Sequence, residues 1–239
     1  MFILIDKPKG ITSHDVVDKI REITGERRVG HAGTLDPNAT GLLIVGVGRE
    51  STKKLGKIAK DTKKTYEAKI YLGEERDTDD AEGVPIQVRD SHIAKSERDD
   101  QIGIESLSIW PKFKVEQVLK EFVGENMQVP PAYSAIKIKG KKAYEFARMG
   151  KKVNLKSRKI AIYSIKLLKY EYPLLCIDVN VSSGTYIRSL ARDIGKRLGS
   201  GAYLKNLRRT KVGRYKIKDA ILLTGLKKGN WKKYAFGNV

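Results

Sequence analysis

The sequence predicts a mixed α+β fold, and three observations carry that reading. Short apolar runs with strand-like composition recur along the chain, stretches with helical spacing of apolar residues fall between them, and no internal repeat, linker or low-complexity segment interrupts the alternation. At 239 residues the chain is long enough for one large domain or two small ones, and it can bury a substantial core.

Phe2–Asp6 reads as a buried strand ended by the Pro/Gly turn Lys7–Gly10. Ser13 is a candidate cap for a helix bearing Val16, Val17, Ile20 and Ile23 on one face and stopping near Gly25. Gly30–Leu43, G-H-A-G-T-L-D-P-N-A-T-G-L-L, packs polar and conformationally special residues between two apolar runs. Gly30, Gly33 and Gly41 permit positive φ or a close backbone approach, and Pro37 drives Asp36 out of helical geometry. The segment therefore reads as an active-site loop holding Asp36 at its tip, anchored by the strand Leu42–Val47; a bare Asp-Pro also reads as an Asx-turn, with His31 satisfying a neighbouring carbonyl.

Arg49–Lys60 carries a weak helical pattern, and Tyr66–Leu72 alternates as a strand with Tyr66, Ala68, Ile70 and Leu72 on one face. Residues 74–82 hold six acids and one base, and their spacing fits a solvated loop better than an EF-hand. Val84–Pro111 is polar and poorly periodic, and reads as a long, partly disordered loop. Val115, Val118, Leu119 and Phe122 form an amphipathic helix ending at Gly124. Leu174–Val181 is a further strand, and Ser182–Thr185 turns it into a helix with Ile187, Leu190, Ala191, Ile194 and Leu198 inward and Arg188, Arg192 and Lys196 on another face. Gly199 and Gly201 close that helix, Leu204–Tyr215 reads as a basic hairpin, and Ala220–Val239 leaves no room for another domain.

Lys and Arg number 48 against 28 Asp and Glu, a formal net charge of +20, and the pI is near 9.8. Such a balance points to a polyanion, with nucleic acid first. No apolar run approaches the roughly 18–20 residues that span a bilayer, and no exposed amphipathic helix supports a membrane-surface protein. The lone Cys176 excludes an internal disulfide and reads as a buried, inert thiol. His14, His31 and His92 lack metal-ligand spacing, so no metal is expected. The N-terminus lacks a signal-peptide pattern, which implies a cytoplasmic protein.

Between Lys137 and Lys169 twelve residues are Lys or Arg against one acid, Glu145, with Tyr133, Tyr144 and Phe146 in or beside the run. Cations interleaved with flat rings suit RNA backbones and unstacked bases, and such a segment is expected to stay loose until phosphates arrive.

The loop resembles the catalytic loop of the TruB family of tRNA pseudouridine synthases, G-H-x-G-x-L-D-P-x-A-T-G-x-L, at every position of the pattern. Further stretches resemble the same family in family order: K-P-x-G at Lys7–Gly10, the strand with T-Y-E-A, an acidic stretch after it, P-x-x-Y-S-A-x-K-x-x-G-x-x-x-Y-E-x-A-R-x-G from Pro130, and G-T-Y-I-R-S-L around Arg188. The resemblance implies a pseudouridine synthase catalytic fold: a central, mostly antiparallel sheet flanked by helices, spanning 1–225 with an RNA-gripping insertion at 130–158 and a short tail at 226–239. Many bacterial relatives continue into a small RNA-binding (PUA) domain, for which this sequence leaves no room.

The resemblance also implies roles. Asp36 is the catalytic carboxylate, Tyr66 stacks on the flipped uracil, and Arg188 pairs with Asp36 and keeps it ionised. Tyr186 contacts the base edge, His31 fills the space left in the T-loop, Leu207 walls the pocket, and Lys7 and Pro8 brace the loop. Lys137, Lys141, Lys142, Arg148, Lys151, Lys152, Arg208 and Arg209 are the expected RNA contacts. The substrate implied is the tRNA T stem-loop, modified at position 55 by a monomer with no cofactor, no membrane and no obligate protein partner. The competing reading is a catalytically silent RNA-binding protein or RNA chaperone of the same fold, which would have no need of Asp36, Tyr66 and Arg188 together.

Overall fold

The computed structural model describes residues 1–86, 110–138, 140–151 and 153–237. The long-loop reading of Val84–Pro111 falls, for residues 87–109, outside the described residues, as do Lys139 and Lys152. In chain order the elements are β1 (Phe2–Lys7), α1 (Ser13–Thr24), β2 (Val29–Ala32), β3 (Thr40–Val47), α2 (Arg49–Asp61), β4 (Lys64–Leu72), β5 (Glu75–Arg76) and β6 (Pro85–Ile86). They continue as α3 (Lys112–Glu121), β7 (Gly124–Gln128), β8 (Lys137–Ile138), β9 (Lys141–Lys142), α4 (Ala143–Arg148), β10 (Arg158–Glu171) and β11 (Leu174–Val181). The last are α5 (Ile187–Leu198), β12 (Ala202–Val212), β13 (Tyr215–Lys216), β14 (Ile221–Leu222) and β15 (Ala235–Phe236). The fold is the expected mixed α+β class.

Two compact units divide the chain: Met1–Glu67 with Asn180–Gly184 and Leu207–Val239, and Ala68–Val179 with Thr185–Asn206. Residues 207–239 stay together in the first unit, with no break at 225.

In the first unit β1 pairs antiparallel with β3, from Phe2 opposite Gly46 to Lys7 opposite Gly41, and β3 also pairs antiparallel with β2 and parallel with β12. β1 reads as a continuous apolar run because both of its faces are covered. Ile3 and Ile5 join Val16, Val17 and Ile20 of α1 in one core, while Phe2 and Leu4 join Leu55 and Ile58 of α2 in another. The cap of α1 is Thr12 rather than Ser13: the Thr12 hydroxyl accepts from the Asp15 amide at 3.0 Å, and Asp15 Oδ2 accepts from the Thr12 amide at 2.7 Å. This reciprocal box satisfies two donors at the helix start and releases Ser13 for another task. Gly25 ends the helix in the left-handed conformation, as its position after the last apolar residue suggested.

In the second unit β10 pairs antiparallel with β7, from Arg158 opposite Gln128 to Ile162 opposite Gly124, and α3 packs on α5 and β10. β8 and β9 form a small hairpin that feeds α4. The hairpin expected over Leu204–Tyr215 is present with unequal arms: the long strand β12 turns at 213–214 into β13, and the two pair only at Lys211 and Val212. Cys176 is half-buried rather than buried, because it lies on the face of β11 opposite Leu175, Ile177 and Val179. No described helix is long and apolar enough to cross a membrane, and the described residues contain no cluster of His, Cys, Asp or Glu that could hold a metal.

Candidate active site

The loop that carries Asp36 is shorter than the motif that announces it. His31 belongs to β2, opposite Val45 of β3, so the irregular segment runs only from Gly33 to Ala39. Leu35 and Ala39 bury their side chains on either side of the acid, and hydrogen bonds to backbone groups hold the tip between them. Lys7, fully buried, donates from Nζ to the carbonyls of Pro8 (2.9 Å), Ile11 (2.6 Å) and Pro37 (3.1 Å). The Gly10 amide reaches the same Pro37 carbonyl at 2.9 Å. On the other side of Asp36, Ser13 Oγ donates to the Leu35 carbonyl (3.0 Å) and accepts from the Leu35 amide (2.9 Å). The Ala39 amide closes the turn on the Asp36 carbonyl at 3.0 Å. Asp36 itself is half-exposed.

Burial lowers the Lys7 pKa, Asp36 and Asp15 oppose that by favouring its charged form, and Arg209 adds to the lowering. With no exposed surface, Lys7 acts on the loop and does not reach a ligand. Pro8 lies beside it, exposed at the surface of the turn.

Arg209 is a correction to the expected RNA contacts. Only 1% exposed, it donates from Nε to the Leu42 carbonyl (2.7 Å) and from Nη2 to the Gly33 carbonyl (2.9 Å), linking the start of the loop to the strand that leaves it. Successive strand residues face opposite ways, so Arg208 points outward, where it pairs with Asp6 at 2.7 Å and stays partly exposed. Leu207, half-buried, accepts a 3.4 Å hydrogen bond from Thr40 Oγ1 at its carbonyl.

Tyr66 is 8% exposed on β4. Two residues earlier Lys64 is buried against the carbonyls of Ala59 and Thr62, and burial, aided by the charge on Arg209, brings its pKa down to about 8. Burial, and then the charges of Arg209 and His14, lower the His31 pKa and favour its neutral form; its Nδ1 has no hydrogen-bond partner among the described residues.

In the second unit Tyr186 and Arg188 sit at the start of α5. Gln128, 2% exposed, reads the Tyr186 backbone twice, accepting from its amide at 2.9 Å and donating to its carbonyl at 3.1 Å, while the Arg158 guanidinium lies 4.6 Å from its ring centroid. Arg188 is 7% exposed, which excludes a solvated helix residue; it donates to the carbonyls of Thr78 (3.3 Å) and Tyr133 (3.1 Å) and pairs with Asp80 at 3.4 Å. Within the acidic stretch, Asp80 is therefore engaged rather than solvated, while Asp77 and Glu82 are exposed. Asp79, 8% exposed with φ of 61°, pairs with Arg192 at 2.8 Å, and burial, which outweighs the charges of Arg192 and Arg188, raises its pKa to about 6.

The insertion presents Lys137, Lys141, Lys142, Arg148 and Lys151 as exposed residues. Lys142 and Arg148 lie 5.4 and 5.3 Å from the Tyr144 ring centroid, and just beyond the insertion Lys159 pairs with Glu125 at 2.7 Å.

Comparison with known proteins defines the class: residues 21–187 match the N-terminal domain of TruB family pseudouridylate synthases, and residues 188–236 match the tRNA pseudouridylate synthase B C-terminal domain. Proteins named tRNA pseudouridine synthase B are 44% identical in Thermosipho melanesiensis (92% of this chain, 66% of the relative) and 43% identical in Thermobifida fusca (94% and 73%). Among solved structures, a chain of a Cbf5-Nop10-Gar1 complex is 30% identical with a TM-score of 0.70, covering 99% of this chain and 56% of that one. The chain thus spans a little over half the length of that structure and about two thirds of the Thermosipho relative. It belongs to the TruB family.

Proposed function

We propose that this chain isomerises uridine to pseudouridine at position 55 in the T-loop of tRNA, acting in the cytoplasm as a monomer without a cofactor. The observation that carries the reading is the Asp36 loop, in which the residues before and after the carboxylate are each tied by paired backbone contacts from Ser13, Lys7 and Gly10. A solvated turn needs no such anchoring, whereas a reacting group must be held to a fraction of an ångström. Relatives named tRNA pseudouridine synthase B support the substrate class.

The reaction breaks the bond from the ribose anomeric carbon to uracil N1 and joins the same carbon to C5. The C5 proton is lost and N1 gains one, so there is no net redox change. The target uridine must first leave its stack, at a cost of a few kcal/mol. Asp36 serves as the catalytic carboxylate, attacking either the base or the sugar. Arg188 is assigned as its cationic partner, Tyr66 as the ring that stacks on the flipped uracil, and Tyr186 as a contact to the base edge. His31 and Leu207 shape the surroundings of the base. The exposed cations of the insertion, Lys137, Lys141, Lys142, Arg148 and Lys151, take the phosphates, with Arg208 beside Asp6 as a further contact.

The test is isomerisation of a T-loop transcript, read by carbodiimide labelling. Asp36→Asn is expected to abolish turnover and leave RNA affinity within about threefold of the parent, because the carboxylate contributes no phosphate contact. Turnover within about tenfold of the parent would refute the catalytic assignment.

A further inference from the structure

We infer that Ser13 is a positioning residue for the Asp36 carboxylate, an inference that rests on the proposed isomerase reading and adds a component to it. Ser13 lies in the first turn of α1, where a serine ordinarily caps the helix. Here that task is already discharged by Thr12 and Asp15, so the Ser13 hydroxyl is surplus to the helix. It is 2% exposed and spans 22 residues to reach the loop, donating to the Leu35 carbonyl and accepting from the Leu35 amide at 3.0 and 2.9 Å.

A single atom that donates and accepts on the same residue limits rotation on both sides of Leu35, the residue whose carbonyl carbon is bonded to the Asp36 nitrogen. The Leu35 side chain is itself 3% exposed, so the clamp joins a buried anchor to a half-exposed acid. Lys7 and Gly10 hold the Pro37 carbonyl on the far side. Of the two side chains, the lysine acts through a charge, and the serine through a hydroxyl, which both gives and takes a hydrogen bond at a single point. Alanine offers neither bond, cysteine offers both weakly and at longer range, and threonine keeps the hydroxyl.

The experiment compares Ser13→Ala, Ser13→Cys and Ser13→Thr with the parent, measuring single-turnover isomerisation at saturating T-loop RNA, RNA affinity, and the folded state by circular dichroism. Misplacing a reacting group by about 1 Å costs on the order of 100-fold. We expect Ser13→Ala to lose about 10- to 100-fold in rate at saturation, with affinity within about threefold, Ser13→Cys to fall between it and the parent, and Ser13→Thr to stay within about fivefold of the parent. A folded Ser13→Ala within about threefold of the parent rate overturns the inference, as does a Ser13→Thr as slow as Ser13→Ala, or a loss that appears in affinity alone. If Ser13→Ala does not fold, Ser13→Cys decides on the same criteria. If neither folds, the hydroxyl serves the fold as a whole and the positioning role is refuted. A parent that isomerises no RNA would sink the isomerase reading instead, which separates the two failures.

Discussion

Gly41→Ala meets two penalties at once, an unfavourable backbone angle and a clash with fixed backbone atoms. Gly41 stands near the start of the strand that leaves the Asp36 loop, with φ of 105°, a conformation that residues bearing a Cβ rarely adopt. It is also pinched between strands, opposite Lys7 of β1 on one side and Arg209 of β12 on the other. An added Cβ would fall against the Arg209 carbonyl oxygen, 2.7 Å from its amide nitrogen and 3.0 Å from its carbonyl carbon. These are backbone atoms, so no rotamer can relieve the overlap. The unfavourable φ costs roughly 1–2 kcal/mol, and forcing an extra methyl into a packed site costs roughly 1–3 kcal/mol. A total of about 2–5 kcal/mol is a large part of the 5–15 kcal/mol that holds a typical domain together. At about 2–4 °C per kcal/mol for a chain of this size, the melting temperature should fall by roughly 4–20 °C. Thermal unfolding followed by circular dichroism reads it. A variant that melts within about 2 °C of the parent would show that β3 and β12 separate easily at this point, and would undo the argument that the loop is rigidly framed.

Two further outcomes test other parts of the structure. Asp79 is protonated more readily when folded than when unfolded, since its pKa rises from 3.8 to about 6; its contribution to stability is therefore fully present below about pH 4 and is lost as pH climbs through about 6. The stability difference between parent and Asp79→Asn should change across that window by at most about 1.4 kcal/mol per pH unit, measured by urea unfolding, and a difference flat from pH 4 to 7 would show that Arg192 compensates the burial. For the insertion, changing Lys141, Lys142, Lys151 and Lys152 to Gln should flatten the plot of log affinity against log salt, by roughly 0.7–0.9 for each phosphate no longer neutralised and about two or more in all. Turnover at saturation should stay close to the parent's, and an unchanged salt slope would place the RNA grip elsewhere.

What was legible in the sequence was whatever local chemistry decides. β1 and β3 could be read because burial on both faces leaves no polar interruption, and the end of α1 could be read because Gly25 is where a left-handed residue is wanted. The errors share one cause, a partner remote in sequence. Thr12 and Ser13 offer the same hydroxyl one residue apart, and only the distant Leu35 determines which is left over. Asp79 and Asp80 look solvated by composition, yet their arginines lie more than 100 residues on, at Arg192 and Arg188. Arg208 and Arg209 are chemically identical neighbours, and strand parity together with the loop carbonyls sends one outward and one inward. Gln128 carried no motif at all; its role emerges only where β7 meets the start of α5.

The Asp36 loop has apolar and polar supports together. The buried Leu35 and Ala39 side chains fix the loop on either side of the acid, and the polar anchors add hydrogen bonds to the backbone of its neighbours without covering the half-exposed carboxylate. Burying the Lys7 ammonium and the Arg209 guanidinium for that purpose is costly, and the cost is offset only because each finds carbonyl oxygens at hydrogen-bond distance. On Lys7 burial lowers the pKa most, the charge on Asp36 opposes it, and that on Arg209 adds to it. The acid thus favours the charged form of one of its own supports, the lysine that holds the carbonyl of the next residue.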